Sequence, residues 1–208
     1  MKNRFCLLLI VALTLSGFSQ TKLSDSEQQS FKQKVMKSAQ ATKSIQSDFI
    51  QTKHLNVLED ELVSEGQLYF KSPNLVKWAY IKPYKNVAVF KNDKLLVNNE
   101  GKKDEMDLSS NRLFRSLNTL IVNSIKGDMF DETQFDISYF GIPEGYMVRF
   151  APKDKRLKKF IASFELKFEK SSALVSEVKL IEPNEDFTTI VFKNKQMNVS
   201  IPDSIFNN

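Results

Sequence analysis

The stretch that most restricts the fold runs from Ser64 to Tyr80. In Ser64-Glu65-Gly66-Gln67-Leu68-Tyr69-Phe70 the large side chains Leu68 and Phe70 fall two apart, which in an extended chain puts them on one face. Pro73 and Asn74 break the run and turn it. Val76, Trp78 and Tyr80 then share a face by the same alternation. Two strands joined by a turn, each offering large apolar groups to one side, read as a meander with a greasy face. That face is either a sealed core or the wall of a container.

The rest of the chain is mostly of the same kind. Ser24 or Asp25 is placed to cap a helix running to about Lys43. Phe31, Val35 and Ala39 recur four apart with Met36 beside them, a single apolar stripe opposite Lys32, Lys34, Lys37 and Gln40. From Ile45 to about His54 the period changes to two, and Glu59-Asp60-Glu61 marks a loop. Strands follow at 86–91 and 94–98 around an Asn92-Asp93 hairpin signal, and 101–107 is charged enough to read as a loop. Leu113, Leu117, Leu120, Ile121 and Ile125 have helical spacing before Lys126-Gly127, a cation and a left-handed stop. The alternation then resumes at Phe135–Tyr139, Tyr146–Phe150, Ala162–Phe168, Leu174–Ile181 and Phe187–Lys193, with a short last piece at Val199 and Ile201. Ten or eleven short strands, a leading helix and a central helix predict a mainly β (α+β) fold. Its sheet is antiparallel and strongly curved, an incomplete barrel.

Residues 1–19 read as a secretory signal peptide: Lys2 and Arg4 lead an apolar run too short to span a bilayer, with Gly17 and Ser19 before Gln20. An N-terminal anchor is the competing reading. The single cysteine, Cys6, lies inside that run, so residues 20–208 carry neither a disulfide framework nor a thiol catalyst. Export without disulfides suits a bacterial envelope protein, and residues 20–208 suit one domain. Of 30 basic and 25 acidic residues only Lys2 and Arg4 leave with the segment. The remaining excess is too mild to suggest nucleic acid, and no calcium-loop or other metal spacing is present.

A curved sheet has a concave side, and the two amphipathic helices are the segments able to cover it. Covered tightly it is an ordinary core; covered loosely it is a lidded apolar cavity. The 17 phenylalanines fit either reading, since aromatics are enriched in any strand. Residues expected to line the hollow are Phe49, Leu68, Phe70, Val76, Trp78, Tyr80, Val89, Phe164, Leu166 and Phe168, with Leu113, Leu117, Leu120 and Ile121 in the lid. Catalysis has little to stand on: His54 is the only histidine, so any Ser-His-acid triad would have to be built on it. The basic run Lys153, Lys155, Arg156, Lys158 and Lys159 is either a solvated connection or a docking patch for anionic headgroups or an acidic partner.

The segment Ser47-Asp48-Phe49-Ile50-Gln51-Thr52-Lys53, followed by Glu65 to Trp78 and Pro83-Tyr84, resembles the periplasmic outer-membrane lipoprotein carriers of the LolA family. The resemblance continues through the leucine-rich helix, Gly127-Asp128 and Val199-Ser200-Ile201-Pro202. It implies an incomplete barrel of about eleven strands with a helical lid over a hydrophobic cavity, and Val76 and Trp78 as cavity-facing residues. It also implies a non-enzymatic, cofactor-free monomer in the periplasm. Its cargo would be acylated lipoproteins, taken from an inner-membrane ABC-type release complex and handed to the outer membrane or an acceptor there. One departure stands out: family members carry an arginine in the hinge that holds the lid shut, and this chain has Ser72. Serine lacks the guanidinium's forked donors. Two further readings therefore stay open, a carrier of another lipid or pigment ester and an envelope-assembly module that fills its own concave face.

Overall fold

The computed structural model describes residues 20–91, 94–107 and 129–207. Within them the Pro73-Asn74 turn joins strands β3 (Leu62–Lys71) and β4 (Leu75–Lys82). Phe70 sits opposite Val76 and Leu68 opposite Trp78, so the greasy face inferred from alternation is one continuous surface. Before them come β1 (Thr21–Lys22), helix α1 (Asp25–Ala41) and β2 (Ser44–His54); after them β5 (Asn86–Lys91), β6 (Lys94–Asn99) and β7 (Lys102–Asp107). A second meander holds β8 (Phe135–Ile142), β9 (Gly145–Pro152), β10 (Ser163–Glu169), β11 (Val175–Ile181) and β12 (Phe187–Met197).

All twelve strands form one antiparallel sheet in the order β1-β8-β9-β10-β11-β12-β2-β3-β4-β5-β6-β7. The seam between the meanders is the β12–β2 pairing, with Phe192 opposite Phe49 and Ile190 opposite Gln51. The two edges, β1 and β7, do not meet, so the barrel is incomplete.

Helix α1 starts where a capping residue was expected. Ser24 is the N-cap, and the Glu27 carboxylate accepts hydrogen bonds from the Ser24 N–H (2.8 Å) and hydroxyl (2.6 Å). The helix ends at Ala41, where the Thr42 hydroxyl donates to the Ser38 carbonyl at 2.8 Å. Phe31 and Val35 are buried while Met36 is largely exposed, so the stripe is narrower than its spacing suggested.

Two expectations need correction. Lys102–Asp107, expected as a loop, is the edge strand β7. A strand with one neighbour and two wet faces tolerates charge, and only Met106 joins the apolar cluster on that half of the sheet. The segment at Val199 and Ile201, expected as a strand, is not one. Its backbone is held by side chains instead: Ser44 Oγ donates to the Val199 carbonyl (2.6 Å) and Lys71 Nζ to the Ile201 carbonyl (3.0 Å).

The apolar residues fall into three groups. Under α1, Phe31 and Val35 pack on β8–β10 through Phe135, Tyr139, Val148, Phe150, Phe164 and Phe168. On the same concave face of β2–β6 lie Phe49, Leu68, Phe70, Val76, Phe90 and Leu95. On the convex face Val89 packs with Ile201 and Phe206. Gly66 makes the second group possible: a Cβ there would come within 2.4 Å of both the Phe49 ring and the Ala79 carbonyl. The Phe49 ring therefore lies across a bare stretch of β3 to meet Trp78 and Tyr80 edge-on, at 5.0 and 5.1 Å. Among the described residues no helix is long and apolar enough to cross a membrane.

Candidate functional site

Between α1 and the concave face lies a cavity of about 430 Å³, within the range usual for small-molecule sites. The helix contributes Val35, Ser38, Ala39 and Thr42 as its roof. The walls come from both meanders: Ile45 of β2, Leu68 and Trp78 on one side, Phe150, Phe164, Leu166, Val178 and Leu180 on the other, with Ile190 and Phe192 of β12 at the seam. The sheet's curvature holds these rows apart, and α1 bridges them without filling the space.

The polar groups on the lining are largely engaged by the protein itself. Ser47 Oγ lies 2.8 Å from the carbonyls of both Asp48 and Lys193, which share its single proton. Gln51 Oε1 accepts from the Tyr80 hydroxyl at 2.9 Å, and burial pushes the Tyr80 pKa up. At one end Lys195 Nζ donates to the Val175 carbonyl at 3.0 Å and pairs with Glu169. Burial alone would raise the Glu169 pKa, but hydrogen bonds from Lys195 and Ser172 outweigh it and hold the carboxyl below its ordinary range. At the other end Lys53 lies 3.9 Å from Glu182. What remains open toward the middle is hydrocarbon, which an aliphatic guest fills at about 0.8 kcal/mol per buried methylene.

Of the residues expected in the hollow, Leu68, Trp78, Phe164 and Leu166 border it. Phe49, Phe70, Val76 and Tyr80 share the concave face but belong to the packing beside and behind Trp78. Phe168 lies under α1, its ring 5.1 Å from that of Phe31. Val89 is a correction: alternation puts it on the convex face, because its neighbours Ala88 and Phe90 are the residues facing Trp78 and Val76. Leu113, Leu117, Leu120 and Ile121, Asn92-Asp93, Gly127-Asp128 and residues 1–19 lie outside the described residues.

The seam residues Ile190 and Phe192, together with Val178 and Leu180, were missed. β11 is half-buried along its whole length and β12 over Phe187–Phe192, so neither shows the buried-exposed contrast that marks a face. Val178 and Leu180 do alternate with Glu177 and Lys179 in sequence, but only the pairing of β11, β12 and β2 brings these residues to the hollow.

His54 stacks on Phe187 at 4.8 Å and lies 4.0 Å from Glu61, on the rim and outside the cavity lining. Among the described residues no group of three or more His, Cys, Asp or Glu is arranged to hold a metal ion. The basic run occupies the β9–β10 connection, around a short 3-10 turn at Leu157–Lys159. Lys153 is tied down there by the Glu132 carbonyl (2.7 Å) and Asp136 (3.4 Å).

A family model described as "Outer membrane lipoprotein carrier protein LolA" matches residues 40–208. No curated protein matches the chain. Solved structures share its fold. An uncharacterized conserved protein from Thermus thermophilus overlays with a TM-score of 0.54 at 12% identity, covering 86% of this chain and 92% of that one. A DUF1329 family protein from Desulfovibrio piger gives 0.50 at 12%, covering 86% and 96%. The MucA/MucB complex of Pseudomonas aeruginosa gives 0.50 at 11%, covering 88% and 61%. At such identities the likeness is one of fold.

Proposed function

This chain belongs to the LolA family, and from that premise we propose that it carries the acyl chains of lipoproteins through the periplasm in the cavity beneath α1. It receives its cargo from an inner-membrane ABC-type release complex and delivers it to the outer membrane or an acceptor there. It works as an exported monomer whose signal peptide is residues 1–19, and it catalyses nothing. The observation that carries this reading is an apolar space of about 430 Å³ that the described residues leave unfilled, walled by Leu68, Trp78, Leu166, Ile190 and Phe192. The Lys195–Glu169 pair at one end neutralises its own charge, leaving the interior suited to hydrocarbon and poorly suited to a charged headgroup.

The test is native mass spectrometry of the protein purified from an envelope extract. The wild type is expected to retain added acyl mass. Ile190→Glu, at a half-buried wall position on the seam, is expected to lose it while the circular dichroism spectrum is unchanged. A wild type free of acyl mass, or a variant that still carries it, overturns the reading.

A further inference from the structure

The loops at one rim of the sheet share a character that the cavity does not explain. The pairs Phe135–Pro152, Ser163–Ile181, Phe187–His54 and Leu62–Lys53 bring the β9–β10, β11–β12 and β2–β3 connections side by side. On the first of them Phe160 is 57% exposed while its neighbour Ile161 is buried. This is a held conformation: the Phe160 and Ile161 N–H groups both bond to the Leu157 carbonyl, at 3.0 and 2.9 Å, and Ala162 N–H bonds to Ile181. Around the exposed ring stand Lys155, Arg156, Lys158 and Lys159, all exposed. Among the described residues none of these four has a carboxylate partner, whereas Lys153 is paired with Asp136. Five cations face one carboxylate, Asp154, between positions 153 and 159.

A rigidly displayed aromatic ring within a cluster of unneutralised cations is the pattern of a surface that meets anionic lipid. Its position adds to the case. Phe160, Ile161, Leu180 and Pro183 border a groove of about 410 Å³ together with Lys159 and with Glu182, which lies 3.9 Å from Lys53, and Leu180 borders the acyl cavity as well. Leu180 is thus common to the lining of the outer groove and of the hollow. The adjoining β2–β3 loop displays Val57 but also Glu59, Asp60 and Glu61, which an anionic surface repels. The Phe160 loop is therefore the part that makes contact.

We propose that this rim is a docking surface for an anionic bilayer, with the Phe160 loop among the headgroups and the Leu180 end of the cavity turned toward the lipid. The docking itself stands apart from carriage; only the orientation of the cavity rests on the carrier reading. The experiment is co-sedimentation of the purified protein with phosphatidylglycerol-containing vesicles and with pure phosphatidylcholine vesicles, at low and high salt.

Binding to the anionic vesicles alone, released by salt, is expected. The triple variant Lys155→Glu, Arg156→Glu, Lys158→Glu is expected to weaken it roughly a hundredfold or more, and Phe160→Ala about tenfold. These side chains are exposed, so both variants should keep the wild-type acyl mass in native mass spectrometry. No binding to either vesicle, equal binding to both, or wild-type binding by the charge-reversed protein overturns the proposal. A protein partner in place of lipid would give the first of these. Loss of acyl mass from the wild type overturns the carrier reading and leaves the docking result to be judged on the vesicles.

Discussion

Ala39→Leu tests whether the space under α1 is empty. Ala39 faces the cavity from the roof, in the last turn of α1, and alanine and leucine differ little in helix propensity. Leucine adds about three carbons, worth at most about 2.4 kcal/mol if all were buried at 0.8 kcal/mol each. The cavity is partly open, so about half of that, roughly 1 kcal/mol, is the expected gain. For a chain of this size it corresponds to a rise in Tm of about 2–4 °C. The same side chain should compete with acyl carbons and reduce the retained acyl mass.

The control lies two turns earlier on the same stripe. Phe31 is 2% exposed, with the Tyr146 and Phe168 rings 4.6 and 5.1 Å away. Phe31→Trp has no room and should cost about 1–3 kcal/mol. Thermal unfolding read by circular dichroism, beside native mass spectrometry, decides the matter. A fall in Tm for Ala39→Leu with acyl retention intact would mean that the space beneath Ala39 is already filled and the argument from the void is wrong.

Two further substitutions probe the framework. Gly66→Ala should destabilise by about 2 kcal/mol, since overpacking typically costs 1–3, because the new methyl meets the Ala79 carbonyl and the Phe49 ring at 2.4 Å; a urea midpoint equal to wild type would refute this. Glu169→Gln should flatten the acid limb of stability. The Glu169 pKa is depressed in the fold, so its contribution is present above the unfolded value of about 4.3 and is lost as pH falls through the lower folded value. Urea midpoints across the acid range that fall as steeply for the variant as for the wild type would rule out that role.

Much of the architecture is legible in the order of residues. The Pro73-Asn74 turn, the shared face of Val76, Trp78 and Tyr80, the Ser24 cap and the α1 stripe all follow from local rules, because a strand or helix decides alone which side chains share a face. Lys102–Asp107 escaped those rules because an edge strand is held by its backbone partners and tolerates a run of charged side chains. Ile201 misled for the opposite reason: it is apolar because it packs with Val89 and Phe206 on the convex face, and its carbonyl is satisfied by the Lys71 side chain, as that of Val199 is by Ser44.

The site is where locality runs out. Leu68, Trp78, Phe164 and Leu166 were identifiable as members of an apolar face, and that is as far as alternation goes. Period two says which residues lie on one side of a strand. It does not say which of two sides is concave, as Val89 illustrates, nor which residues of the concave side touch one another and which are left facing space. Those outcomes depend on β12 pairing with β2, on the curvature of the sheet they close, and on α1 spanning the gap at a height set by Phe31 and Val35. The sequence by itself determined the faces, turns and caps, since these depend on near neighbours. Only the tertiary structure decided that a hollow exists and what walls it, since a void is a relation between segments far apart in the chain.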